Sequence, residues 1–307
     1  TGVGFCFFVR RAMLDAIGGF DPAFGAGYGE ENDLCMRAAA AGWRNVLADD
    51  ALVLHTGGRS FEKQKDALVP KNTGVLLARH PGYLSLVHDY VAADPLAPLR
   101  DAATLAFDAG RAGGVLHVLH HQGGGTETHV RALVAATRGR WRHAIAVAVG
   151  DRWRIEAHRP DGGTIAFDLD RLPDEPWGDF LGGLCATLGV RLVHVHNVSA
   201  CRDGLLTALA ALDLPFGYTV HDVNAGCPTI TFLGPDGMYC GAQTDPAACG
   251  ACLAAQPAFA GVDIVAWREA HRTLVERASF LIAPSRWAAD TLARFYPSAR
   301  VRVVPHG

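Results

Sequence analysis

Three stretches of the chain concentrate side chains that can do chemistry. In GYGEENDLCMR, Glu30, Glu31 and Asp33 stand where a glycine loop enters a helical pattern. Carboxylates there complement the positive end of a helix dipole, and one held on such a loop can also take a proton from a hydroxyl. In HVLHHQGGGTETHVRAL, an apolar run breaks on Gly123, Gly124 and Gly125 and restarts helically at Thr126 and Glu127. A strand-to-helix junction of this type presents amide N–H groups to a phosphate, although glycines there also serve a tight turn and nothing more. The third stretch spaces Cys227, Cys240, Cys249 and Cys252 as C-x12-C-x8-C-x2-C within a Gly/Pro-rich insertion. Four thiolates so spaced can close a tetrahedral Zn²⁺ site and supply folding energy that the loop lacks. An iron–sulfur cluster and free or paired thiols stay open as alternatives. Cys6, Cys35, Cys185 and Cys201 sit in apolar patterns and read as core. His194 and His196, alternating on a strand-like HVHNV, either line a cleft or pack beneath one.

The elements that must position these groups fall into two patterns. Residues 3–10 read as a strand, 12–17 as a short helix, 33–41 as a helix with Leu34, Cys35, Ala38 and Ala39 on one apolar stripe, and 46–55 as a broken strand. Residues 61–111 show no strand pattern and read as helices broken at His80-Pro81-Gly82 and Asp94-Pro95. From Gly114 onward, apolar runs (VLHVL, AIAVAVG, TIAFDL, RLVHVH, FGYTVHD, FLIAPS, RVRVVP) mostly alternate with helical stretches at 127–137, 203–212 and 267–277. Buried strands separated by helices indicate an α/β fold with a doubly wound, Rossmann-like parallel sheet. The organisation expected is therefore residues 1–65, a helical appendage over 66–112, and an α/β domain over 113–307 carrying the cysteine insertion 227–252.

Composition narrows the function. Half of the 307 residues are apolar, 19% are charged and the net charge is −3, with Lys and Arg scattered. That distribution gives no surface for tracking phosphates, so nucleic acid is excluded as an expected partner. No window reaches the roughly 18 apolar residues of a membrane span, and the first residues lack a secretory signal pattern. Eight cysteines are too sparse in a chain of this length for a disulfide framework. The expectation is a cytoplasmic protein.

GFCFFVRRAMLDAIGGFDPAFGAGYGEENDLCMRAAAAGWRNVLADDALVLHTGGRSF resembles the second half of the catalytic domain of family 2 inverting glycosyltransferases, of the GT-A fold, over residues 1–61. The resemblance implies that Glu31 is the general base, with Glu30 as its acidic partner and Asp33 either orienting the helix or anchoring acceptor hydroxyls. It implies that His55, before Thr56-Gly57-Gly58, helps hold Mg²⁺ or Mn²⁺ on the leaving diphosphate, and that the paired aspartates for that metal precede residue 1. Family members often carry Asp where Glu31 stands.

Residues 114–307 resemble the N-terminal domain of family 4 glycosyltransferases, of the GT-B fold. The resemblance rests on the glycine junction, on LPFGYTVHDVNAGCP, on FLIAPSRWAADTL and on VRVVPHG. It implies that Gly123, Gly124, Gly125 and Thr126 close on the donor diphosphate, that His221 with Asp222 faces the reacting sugar, and that Ser285 lies at a substrate-side turn. The last strand would lead into a donor-binding domain. Together the two resemblances imply a fragment of a fused glycosyltransferase, inverting at one site and retaining at the other, with both sites incomplete and the isolated chain inactive. Its partners would be nucleotide-sugar donors and a glycan or lipid-linked glycan acceptor of a growing cell-surface polysaccharide, with peripheral association at the inner face of the membrane. No organic cofactor is implied. One alternative is an NAD-dependent nucleotide-sugar dehydrogenase or epimerase. The G-x-G-x-x-G fingerprint fails where Thr128 replaces its third glycine, while Asp151 could mimic a ribose-binding acid. Another is a non-catalytic glycan-binding protein.

Overall fold

Residues 1–97 and 98–307 form two units in a computed structural model that describes residues 4, 6–25, 27–48, 51, 53–55, 65–110, 113–197 and 204–306. The first unit holds helices α1 (Arg11–Ile17), α2 (Glu30–Ala40), α3 (Lys65–Arg79) and α4 (Tyr83–Ala93), with a 3₁₀ turn at Pro22–Phe24. Met13, Leu34 and Ala38 make its buried cluster, with Phe7, Val9 and Trp43 packed around them. The strands expected over 3–10 and 46–55 are not formed among the described residues. A strand exists only through bonds to a neighbour, and no described segment of this unit runs beside them. Two side-chain expectations also change. Cys6 is exposed, because the extended segment packs Phe7 and Val9 inward and turns Cys6 and Phe8 outward. Ala39 is exposed, because the buried stripe of α2 runs through Leu34, Cys35 and Ala38. Cys201 and residues 56–58 lie outside the described residues, as does the start of the helix expected over 203–212.

The helical stretch divides between the units, since α5 (Ala97–Ala109) buries Leu105 in the core of the second. That unit continues through β1 (Gly114–His120), α6 (Gly125–Thr137), β2 (Arg142–Val149), β3 (Arg152–His158), β4 (Thr164–Asp170), α7 (Trp177–Thr187), β5 (Val190–Val195), α8 (Leu205–Ala211), β6 (Phe216–Thr219), α9 (Pro246–Ala254), α10 (Ile264–Arg277), β7 (Phe280–Ala283), α11 (Arg286–Phe295) and β8 (Val301–Val303). The strands form one sheet of eight in the order β4, β3, β2, β1, β5, β6, β7, β8. Pairing is parallel except that β3 runs antiparallel to both β2 and β4. The α/β expectation thus holds, with an antiparallel meander at one edge in place of a further crossover.

Period-two alternation divides the sheet into unlike faces. Leu116, Val118, Ala144, Ala146, Val193, Val195, Phe216 and Tyr218 join Leu181, Leu184 and Leu209 of α7 and α8 in the main core. On the other face Leu119 and Ile145 meet Val130 and Val134 of α6. The same face carries His117, His143, His194 and Thr219, all buried. Phe280 lies over Gly217 on this face, where an added Cβ would stand 1.9 Å from its ring, so position 217 has room only for glycine.

Candidate functional site at the crevice of the sheet

From β1 the chain moves outward to β2 on one side, and from β5 it moves outward to β6 on the other. At such a reversal the loops beyond the C-terminal ends of β1 and β5 part, leaving a crevice where open α/β sheets bind ligands. Beyond β1, Gly123 and Gly124 adopt φ of 68° and 79°, a left-handed region that glycine alone enters without strain. Gly124 is the N-cap of α6, and no side chain caps the helix. Its first amides are left for water or a ligand. Among the described residues, a Cβ at Gly124 or Gly125 would meet nothing within 4 Å, whereas one at Gly123 would meet Glu127 at 3.4 Å. The turn is thus open on its outer side, as a diphosphate cradle requires.

Under α6 the buried imidazoles form one continuous hydrogen-bonded chain. His143 Nε2 lies 3.0 Å from Thr137 Oγ1, and His143 Nδ1 lies 3.0 Å from His117 Nε2. His117 Nδ1 is 3.0 Å from His196 Nε2, whose Nδ1 is in turn 3.0 Å from His221 Nε2. Direction follows from the end of the chain. Thr137 Oγ1 sits 2.6 Å from the Leu133 carbonyl, which can only accept, so the hydroxyl proton points there. His143 must then donate to Thr137 through Nε2, and each next ring must donate through its own Nε2. The assignment requires neutral rings, and burial favours them: it drives His117 and His196 far below the usual imidazole range, lowers His143, and takes His221 down to about 3. The chain therefore ends with Nδ1 of His221 as an unprotonated acceptor.

His194 stands beside this chain, bonded through Nε2 to Thr219 Oγ1 at 2.8 Å and lowered to about 4 by burial. Nitrogens of His117, His194 and His196 come within 4.8 Å of one another, close enough for a metal centre. Both ring nitrogens of His117 and of His196 are, however, engaged with neighbouring rings, so the hydrogen-bond chain accounts for the cluster. At the crevice, His129 from α6 meets His221 at 5.1 Å between ring centroids and His306 at 4.3 Å, and His306 stacks on His221 at 5.1 Å. Asp222 accepts from Asn197 Nδ2 and, at 2.9 Å, from the Asn224 amide, while burial raises its pKa.

The sequence model of Glycosyltransferase Family 4 matches residues 123–307, from the glycine turn to the end of the chain. The chain belongs to glycosyltransferase family 4. No curated protein sequence matches it. The family 4 unit brings Gly123, Gly124, Gly125, Thr126, His221 and Asp222 to one edge of the sheet. Ser285 lies beyond the end of β7, where its hydroxyl accepts from the Ala288 amide at 3.2 Å and caps α11. His129, His143, His117 and His306 went unnoticed in the sequence because their partners are distant along the chain. Only the clustering of histidines at strand ends hinted at them. Asp151, the acid a dinucleotide enzyme would turn to a ribose, is paired with Arg171 at 2.8 Å in the turn between β2 and β3. All four cysteines Cys227, Cys240, Cys249 and Cys252 line one cavity.

In the first unit the acidic loop is held in an uncommon shape. Gly25, Gly27, Tyr28 and Gly29 all have positive φ, and buried Asn72 on α3 donates to the carbonyls of Phe24 at 2.8 Å and Gly27 at 2.6 Å. Glu30 and Glu31 open α2, each with one buried carboxylate oxygen that has no hydrogen-bond partner among the described residues. Burial, with the adjacent Glu31 charge, raises the pKa of Glu30. Asp33 is fully buried and already engaged, with Arg37 at 2.7 Å and His80 at 3.0 Å. Burial alone would raise its pKa, but His80, Arg37 and Arg79 bring it below the usual value. It ties α2 to the end of α3. His55 is exposed, and among the described residues no cluster of three metal-ligating atoms includes it.

Proposed function

We propose that the family 4 unit transfers a glycosyl group from a nucleotide-sugar donor to a hydroxyl of a growing glycan, with retention of configuration. The carrying observation is the open glycine turn at the uncapped start of α6, beside His221. Amides of the turn would accept the diphosphate, whose charge the helix N-terminus favours. The acceptor oxygen bonds to the anomeric carbon on the face the diphosphate leaves, as that bond breaks and the acceptor's proton passes to the departing diphosphate oxygen, and Nδ1 of His221 receives a hydrogen bond from a hydroxyl of the reacting sugar. His129 and His306, packed against His221, hold its ring in place.

The first unit supports a second, inverting transfer site in the same reading, with Glu31 as the base that deprotonates an acceptor hydroxyl. Its unsatisfied buried oxygen and the clamped loop are what a positioned base needs. Mg²⁺ or Mn²⁺ would neutralise the leaving diphosphate there.

Calorimetric titration of the chain with UDP-, GDP- and ADP-sugars tests the family 4 site. At least one should bind saturably, and Gly124→Val, which crowds the turn, should weaken it by at least about tenfold. Unchanged affinity in that variant, or preferential binding of NAD, would overturn the reading.

A further inference from the structure

The cysteine insertion departs from β6 just after the crevice residues. Cys227 follows Asp222 by five positions. A tight hairpin comes next, closed by Gly234 N to Met238 O at 2.8 Å and a bridge between Leu233 and Tyr239, and Cys240 directly follows it. Cys249 and Cys252 lie three apart on α9 and so share one face of the helix. The four side chains line a single cavity of about 240 Å³, with no other ionisable residue among its described lining, and since no three of their sulfurs stand within 4.8 Å of one another an ion would have to draw them together. All four are free thiols.

Two further observations point to what the cavity is for. N–H groups are aimed at two of the sulfurs: Arg268 Nη2 stands 3.3 Å from Cys249 Sγ, and Gln256 Nε2 stands 3.5 Å from Cys252 Sγ. Arg268 also donates to the carbonyls of Gly226, Gln243 and Thr244, so a guanidinium is built into the frame of the insertion. Such donors beside sulfur are the outer shell that tunes metal thiolates, and the cation offsets the charge of four thiolates around a divalent ion. Three non-glycine residues of the insertion, Ile230, Phe232 and Ala242, hold left-handed backbones with φ of 56°, 58° and 54°. Conformations of that type persist only where their surroundings over-determine them.

We propose that Cys227, Cys240, Cys249 and Cys252 form a structural zinc site that braces the loop carrying His221 and Asp222. Binding takes the thiols as thiolates and releases their protons to solvent, with no change of oxidation state. Zinc joins the hairpin and α9 to the chain just beyond the crevice, so the metal holds one wall of the site without touching substrate. Zinc binding itself is independent of the glycosyl-transfer reading, and only the bracing of a substrate site rests on it.

Elemental analysis of the chain purified without chelator should find about one zinc per chain. Cys249→Ser and Cys252→Ser should lose it, and Cys6→Ser should retain it. Co²⁺ added to the zinc-free protein should give the intense visible d–d absorption of a tetrahedral thiolate site. If the serine variants fail to fold, the metal content and cobalt spectrum of the unsubstituted chain still decide. Zinc-free protein whose four thiols all react freely, a disulfide among them, or an iron–sulfur chromophore would each overturn the proposal.

Discussion

Acid should loosen this fold at a milder pH than carboxylate protonation requires. His117, His194 and His196 are buried on one face of the sheet, and burial holds each below its ordinary value of 6.5, with His194 at about 4. The unfolded chain therefore binds protons that the folded chain refuses, and stability falls as pH drops below 6.5. Between about pH 7.5 and about pH 5.5, each such histidine costs about 1.4 kcal/mol, so three cost about 4 kcal/mol. That is a large share of the 5–15 kcal/mol that typically holds a domain, roughly. His120, His129, His143, His158 and His271, also lowered by burial, add to the loss. Asp222 and Glu30, raised by burial, act in the opposite sense, gaining as pH falls through their folded values. Urea unfolding at the two pH values, followed by tryptophan fluorescence, measures the difference. His194→Gln, which can still bond Thr219, should shrink it by about 1.4 kcal/mol. A difference below about 1 kcal/mol in the unsubstituted chain would show that the histidines are not kept neutral, and the directed chain built on neutral rings would fall with it.

Two further outcomes test the two sites. Glu31→Gln, made in a longer protein that carries both halves of the inverting site, should lower inverting transfer by roughly 10²- to 10⁴-fold while donor binding persists, and activity within about threefold of the unsubstituted protein would remove Glu31 from the role. Thr137→Val removes the group that fixes the direction of the imidazole chain. Nitrogen NMR of His221 should find the Nε2-protonated tautomer in the unsubstituted chain and a mixture in the variant, and identical spectra would break the link between the two residues.

What could be read from the residues depended on how local the signal was. The glycine turn was legible because a left-handed backbone at Gly123 and Gly124 and a helix restarting at once leave their mark in adjacent residues. Strand β3 was missed although Trp153, Ile155 and Ala157 alternate with Arg152, Arg154 and Glu156. The pattern sought was the unbroken apolar run of a central parallel strand, whereas β3 is antiparallel and shows its charged face to solvent. PDGG, between β3 and β4, carried the matching hairpin signal. The clamp of Asn72 on the acidic loop spans 45 and 48 positions, and the bond from His117 to His196 spans 79. No periodicity reports pairs so far apart. Only the sheet order, which places β1 beside β5, makes the two histidines neighbours.

In the proposed family 4 site, the residues around the glycine turn meet a diphosphate without a charged histidine. His221 is driven toward its neutral form by burial, and the histidines behind it are neutral for the same reason. Arg131, the nearest arginine along α6, is bound to Glu127 at 2.8 Å and Glu156 at 2.9 Å. The uncapped amides at the start of α6 would meet the negative charge as a fixed dipole that does not titrate. A neutral acceptor at His221 then matters as much as those donors. If its ring were protonated, both nitrogens would donate, and a sugar hydroxyl could no longer be oriented by giving up its hydrogen to Nδ1. In the proposed site, Thr137, at the other end of α6, sets through three imidazoles which nitrogen of His221 would accept from the sugar.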